Sequence, residues 1–398
     1  MNQVSLSDVY WFQEGPGVRN WQFKESGIKL LNVANITKQG KIDLDKTDRH
    51  LSTEEVDSKY QHFLIDEGDL VIASSGITND EDNLLRTKIA FIEKQHLPLC
   101  LNTSTIRFKA KDGVSDLKFL KHWLNSLEFR QQITKEVTGI AQKNFGPSHL
   151  KKIKISLPPL TEQRRIASIL DQADELRQKR QQAIEKLDQL LQATFIDMFG
   201  DPVSNPKGWE KEKMDTLMTI VRGGSPRPIE NFLGGTYPWI KIGDATKGDD
   251  LFITKTKEAI TEEGLHKTRL LPEGSVIFAN CGVSLGFARI LKIQGCIHDG
   301  WLAFQDIHED KIHKLFLLKA LNSITQYFRD TAPDGTQPNL NTAIMKNFEL
   351  IIPPMDLQLK FIAIVESIVN QKKILETSNI EFSNLFKSLQ NQSFNGTL

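Results

Sequence analysis

The 398 residues carry 50 basic and 50 acidic side chains, with 39% hydrophobic and 25% charged residues, which excludes a disordered chain and calls for two or more domains. The first residues lack the basic-then-apolar pattern of a secretory signal, and no apolar run approaches the roughly 20 residues that cross a bilayer. Cys100, Cys281 and Cys296 are odd in number and lack CxxC spacing, so neither a disulfide framework nor a zinc site is indicated, and the expected location is a reducing cytoplasm.

Residues 15–20 (GPGVRN) form a flexible basic turn that offers Arg19 and Asn20. Residues 23–34 end in a short apolar strand, KLLNVA. Residues 67–76 (EGDLVIASSG) read as a turn, a β-rich apolar run and a small polar loop carrying Ser74 and Ser75. The loop Gln142-Lys143-Asn144-Phe145 follows the phrase LKHWLNS at 120–126. Gln and Asn can bond adenine bidentately, and Arg or Lys guanine, so this loop has the side chains that read base edges. From residue 139 to 170 the basic residues are Lys143, His149, Lys151, Lys152, Lys154, Arg164 and Arg165, against one acid, Glu162. A net charge of zero does not argue against nucleic acid when a local basic face is present, and Lys151 and Lys152 are candidates for phosphate contact.

KIKISLPPL at 152–160 is a strand stopped by Pro158-Pro159, with Thr161 the expected N-cap of a helix. Nothing breaks that helix before Gly200-Asp201-Pro202. About 39 residues at 1.5 Å each give a rod of roughly 58 Å. The pattern then repeats. Arg222 and Arg227 lie in a basic turn, residues 222–227 (RGGSPR), and a strand phrase ending PWIKIG follows at 232–243. Residues 273–282 (EGSVIFANCG) contain Asn280, and LLKALNS follows at 317–323. Next come the loop with Thr336, Gln337, Asn339 and Asn341, then NFELIIPPM at 347–355, and a second helix with Asp356 as its expected cap. Pro158 and Pro353 stand 195 residues apart, and the same offset aligns Gln142 with Gln337. Four phrases in the same order indicate an internal duplication.

Alternating steps of three and four draw a stripe through Ile169, Ala173, Leu176, Arg180, Ala183, Leu187, Leu190 and Thr194. A second runs through Ile364, Ile368, Gln371, Leu375, Ser378, Phe382, Leu385 and Leu389. Neither helix has a neighbouring helix in sequence, so the two are expected to pair, as an antiparallel coiled coil that sets Arg180 against Ser378.

Catalytic signatures are missing. The Pro-Pro pairs read LPPL and IPPM, without the polar residue before and the aromatic after that an amino-methyltransferase uses to hold a flipped base. Gly243 and Gly248 have P-loop spacing, but Asp249 stands where lysine is required. Asp299 with Glu309-Asp310-Lys311 is at most a loose carboxylate cluster, better read as a solvated turn.

The strand-Pro-Pro-x-x-Glu-Gln-helix junction at residues 157–163, its copy at 352–358, Pro206-Lys207-Gly208-Trp209, and EGPGVRNW at 14–21 followed by GIKLLNV at 27–33 together resemble the specificity subunit of type I restriction-modification systems. The second junction departs from the pattern, reading Asp356-Leu357-Gln358 where Glu-Gln is usual. The resemblance implies an α+β chain: two similar DNA target-recognition domains, separated and joined by two long antiparallel helices about a pseudo-two-fold. The segments are 1–157 and 201–352 for recognition, with 158–200 and 353–398 as helical spacers. It also implies a non-catalytic role on double-stranded DNA, reading a two-part target. No cofactor would sit on this chain. Two methyltransferase subunits would carry S-adenosylmethionine, and motor-nuclease subunits ATP and magnesium. The rivals are a self-contained methyltransferase-nuclease and a coiled-coil adaptor without DNA readout.

Overall fold

The computed structural model describes residues 3–80, 83–137, 143–246, 251–332 and 339–395. The chain divides into two compact units. One comprises Met1–Gln181 with Thr377–Leu398, the other Gln182–Glu376. Each therefore holds one mixed domain and a half of each long helix.

In the first unit the central sheet runs in the order Tyr10–Glu14, Thr105–Ala110, Leu70–Ala73, Ile89–Phe91, all antiparallel. Leu70–Ala73 is buried at every position, because both its faces are covered. Leu70 and Ile72 pack on Phe119, Trp123 and Phe129 of the helices Leu117–Leu124 and Leu127–Glu136. Val71 and Ala73 pack on Leu31, Leu99 and Leu101. Those last residues belong to a smaller sheet in which Ile28–Leu31 runs parallel to Leu99–Leu101.

The second unit repeats the plan. Thr219–Arg222, Trp301–Gln305, Val276–Ala279, Ala288–Leu291 and Phe252–Ile253 form the central sheet. Val276 and Phe278 face Phe316, Leu317 and Phe328, while Ile277 and Ala279 face Ile240, Leu271 and Ile297. Leu233–Ile240 runs parallel to Gly295–Ile297. In each unit the first and last strands close the domain as a two-stranded antiparallel ribbon: Gln3–Ser5 with Lys154–Ser156, and Lys211–Lys213 with Glu349–Ile351.

The central helix spans Leu160–Phe199 and the distal helix Met355–Asn395. Both start one residue before the expected caps. Pro159 accepts from the Glu162 and Gln163 amides at 2.9 and 3.0 Å, and Pro354 does the same for Leu357 and Gln358. Thr161 and Asp356 thus lie inside the first turn rather than at its cap.

Gln163 and Gln358 explain the junction. Both are fully buried. The Gln163 carbonyl accepts from the Asp116 amide at 3.0 Å, and its NH2 donates to Val114 O and Pro158 O. Gln358 accepts from the His313 amide at 2.9 Å and donates to Lys311 O and Pro353 O. Each glutamine ties a helix start to the N-cap of its domain's first core helix. Among the described residues Glu162 pairs only with Arg165, at the surface, so replacing the Glu-Gln pair by Leu357-Gln358 keeps the contact that matters. At the far end of the central helix Gly200 adopts φ +76°, and the Trp209 indole donates to Phe199 O at 2.8 Å.

Within each unit the helix halves pack antiparallel, as expected. In the first, Arg180 donates to Ser378 O at 3.3 Å and covers the Phe382 ring, while Arg177 covers Phe386. In the second, Lys372 pairs with Asp188, and Phe195 and Phe199 pack on Phe361. Ile368 is buried, and Ala173, Leu187, Leu375 and Phe382 are half-buried, as is Ile169. Five expected seam residues are instead exposed: Gln371 and the apolar Leu176, Leu190 (53%), Ile364 and Leu385 (62%). The buried column lies one residue later, at Leu170, Ile184, Leu191 and Val365, with Phe386 packed beside it. Most of these positions are adjacent apolar pairs, such as Leu190-Leu191, Ile364-Val365 and Leu385-Phe386, so the heptad phase is degenerate in sequence. Contact with the domain cores selects the phase, with Leu170 joining one core and Leu191 the other.

Candidate nucleic-acid interface

Two loops are built alike in both domains. The first forms where the buried central strand ends. Phe145 N donates to Ser74 O at 3.0 Å, and Leu340 N to Asn280 O at 2.8 Å. Isolated bridges join Ile77 to Lys143 and Cys281 to Asn339. The buried Phe145 and Leu340 anchor the segments, and a short helix follows each: Pro147–Leu150 and Thr342–Asn347. Phrases some 60 to 70 residues apart in sequence therefore meet at one place in each copy.

This construction sorts the candidate residues. Ser74 and Asn280 are buried and correct the expectation that they face a ligand. The Asn280 amide holds Asn339 Oδ1 and Leu340 O, both at 3.2 Å. Asn341 is exposed, but its carboxamide oxygen caps the following helix by accepting from Ile344 N at 2.9 Å. Ser75 and Asn339 are half-buried, and Asn144 is exposed. Lys143 donates to Asn79 Oδ1 at 2.9 Å. Lys151 and Lys152 are exposed at the end of their short helix, Lys152 pairing with Glu136 at 2.9 Å. Gln142, Thr336 and Gln337 lie outside the described residues.

The second loop follows the edge strand of each central sheet. It turns at a glycine, with Gly15 N donating to Thr105 O and Gly223 N to Trp301 O. A Cβ at Gly15 would stand 2.5 Å from the Asn102 backbone, and one at Gly223 2.2 Å from His298 O, so no side chain fits. Beyond the glycine the copies differ. In the first domain Arg19 and Asn20 are exposed, and Arg19 has no ion pair among the described residues. In the second, Arg222 Nε donates to Asp299 O at 2.7 Å, Arg227 pairs with the Asp299 carboxylate at 3.2 Å, and Ser225 donates to it at 2.6 Å. The Ser225 hydroxyl is the main reason the Asp299 carboxyl is held below its usual range. Asp299 is thus a latch on a basic loop. Lys311 pairs with Glu212, and Glu309 with Lys314, so the loose carboxylate cluster does not assemble. No group of three or more His, Cys, Asp or Glu suited to a metal occurs among the described residues.

The space beneath the loops differs too. In the first domain it is filled by amides. Asn102 donates to Asn32 Oδ1 at 2.9 Å, and Asn35 Oδ1 accepts from Asn32 N and Thr47. In the second, Lys241 and His298 stand at the matching positions, and an open groove of about 780 Å³ remains among Pro226, Ile229, Trp239, Ile242 and these two. Burial lowers the His298 pKa, so its imidazole favours the neutral form.

One signal in the sequence went unread. Cys100-Leu101-Asn102-Thr103 and Cys296-Ile297-His298-Asp299 are the same turn in two copies, with both cysteines buried on parallel strands. The cysteines read as scattered; they are a repeat marker, and the alignment puts Thr103 where the latch Asp299 stands.

Residues 3–186 and 206–382 each match the family described as the type I restriction modification DNA specificity domain. The chain is 25% identical over 323 residues to the type I restriction enzyme MjaIX specificity subunit of Methanocaldococcus jannaschii, covering 74% of this chain and 73% of that one. A solved chain from a type I restriction-modification system aligns with all of this chain and 98% of its own, with a TM-score of 0.61 at 17% identity. The S subunit of such a system from M. genitalium aligns with 99% of this chain and 96% of its own, with a TM-score of 0.55 at 16% identity.

Proposed function

Because the chain belongs to the type I restriction modification DNA specificity family, we propose that it is the non-catalytic subunit that reads a two-part DNA target, one half with each domain. The observation that carries this reading is the duplicated pair of loops: the same frame twice, with different side chains displayed on each copy. A shared frame gives both domains the same approach to the duplex, and different loop side chains give each its own sequence preference. Arg19, Asn20, Asn144 and Asn339 are the surface groups suited to base edges. Lys143, Lys151 and Lys152 suit phosphates, where they add affinity without sequence preference. Arg222 and Arg227 are held by Asp299, so they meet DNA in a fixed geometry.

The long helices set the gap between the half-sites and dock two methyltransferase subunits. Those subunits supply S-adenosylmethionine and the methyl transfer, and motor-nuclease subunits supply ATP- and magnesium-dependent cleavage. No helix among the described residues is long and apolar enough to cross a membrane, which is compatible with the expected work on cytoplasmic DNA. Mapping methylated adenines in a host that carries this chain and its methyltransferase partner tests the reading. An asymmetric two-part motif with a fixed gap is expected. Methyl transfer by this chain alone, with labelled S-adenosylmethionine and DNA, would overturn it.

A further inference from the structure

Trp21 is 77% exposed, the most exposed large apolar side chain among the described residues. Its loop is not slack. Gly15 is pressed against the Asn102 backbone at one end. At the other, Gln22, the residue after the tryptophan, is buried. The Gln22 carbonyl accepts from Arg19 N at 2.8 Å, and its NH2 donates to Glu55 at 2.7 Å and to the Tyr60 hydroxyl at 3.0 Å. A tight turn, Asn20–Gln22, thus holds a large ring out in solvent with its backbone fixed on both sides. Leaving so much apolar surface in water is unfavourable for the free chain, whereas a rigidly displayed aromatic loses little freedom on contact.

The neighbours indicate what the ring meets. Arg19, Asn20 and Lys24 are exposed around it, and neither cation has an ion pair among the described residues. Protein interfaces also favour Trp beside Arg, but two cations without acidic partners among the described residues and an amide around one ring suit the phosphate-lined groove of a duplex. An arginine and an asparagine beside a projecting apolar ring are the set that enters a DNA groove, the polar groups on base edges and the ring against a base step. We infer that Trp21 is a wedge that inserts at a base step of the first half-site and partly unstacks it, with Arg19 and Asn20 in the same groove. The second domain has no counterpart: the matching turn, Ile229–Phe232, has no tryptophan, and no residue in it is displayed as Trp21 is. Unstacking is therefore confined to one half of the target. This inference rests on the DNA reading above.

The test uses the full chain and a library of duplexes with randomised interiors. Wild-type protein should enrich a two-part motif and make a thymine of the first half-site reactive to permanganate. Trp21→Ala should weaken binding to the enriched duplex about tenfold to a hundredfold, abolish that reactivity, and leave binding to an unrelated duplex and its salt dependence unchanged. Trp21→Phe keeps a ring and should stay within a few-fold of wild type. Equal affinity and equal reactivity in Trp21→Ala would overturn the inference while leaving the DNA reading intact. So would normal DNA binding with loss of methyltransferase capture, which would make the indole a protein contact. If wild-type protein enriches no motif, the DNA reading fails first and takes the wedge with it.

Discussion

In the first domain the loop after the edge strand leaves Arg19 without an acidic partner among the described residues and packs amides beneath it. In the second the same loop folds two arginines onto Asp299 above an open groove. The glycine that starts the loop, the parallel strand pair below it and the buried glutamine at the helix junction are the same in both. Conserving the frame while changing what hangs from it is how one architecture can serve two different half-sites. The claim of a common frame and the claim of different displays can be broken separately.

The largest effects should come from the frame, and should be equal in the two copies. Gly15→Ala and Gly223→Ala each force a methyl to within about 2.5 Å of backbone; each should destabilise its own domain by about 3 kcal/mol, read by hydrogen exchange in that domain. A neutral alanine at one position alone would mean the turns are not equivalent. Gln163→Ala and Gln358→Ala remove buried partners from three backbone groups each and should cost about 2 kcal/mol apiece in denaturant unfolding. Glu162→Ala, at the surface, should leave the denaturant midpoint essentially unchanged.

The displays should differ. Asp299→Asn keeps the latch's shape and removes its charge, so Arg227 gains freedom while Arg222 stays on the Asp299 backbone carbonyl. Selection from randomised duplexes should then show a relaxed second half-site and an unchanged first one. The smallest effect is on pH dependence, and its sign differs between domains. Asp299 has a lowered pKa in the folded state. Its contribution is present above the usual carboxylate range and is lost as pH falls through the lowered value. Glu14, at the end of the other edge strand, has its pKa raised by burial. Its ionisation opposes folding, so the first domain gains stability as pH falls from the raised value toward the usual one. Unfolding of Glu14→Gln across mild acid, and of Asp299→Asn below the usual carboxylate range, should remove slopes of opposite sign.

Much of the frame was legible because it rests on short-range rules: Pro-Pro stops a strand, Gly200 ends a helix, and repeated phrases betray a duplication. The helix phase was not, because Leu190-Leu191 and Ile364-Val365 are apolar on both candidate columns and only domain packing chooses between them. Ser74 and Asn280 looked like readers since small polar residues after a strand resemble a surface loop. The segments at Phe145 and Leu340 fold over them, which sequence spacing cannot reveal. Trp21 and Asp299 were missed for the opposite reason. Display of a ring depends on a clamp at Gln22, and a latch depends on arginines some 70 residues away.

The most direct measurement exchanges residues 209–350 for the matching segment of a relative with a different target and maps methylated adenines in a host carrying the hybrid and its methyltransferase partner. One half of the motif should change, with the other half retained. A change in both halves would contradict independent reading by the two domains.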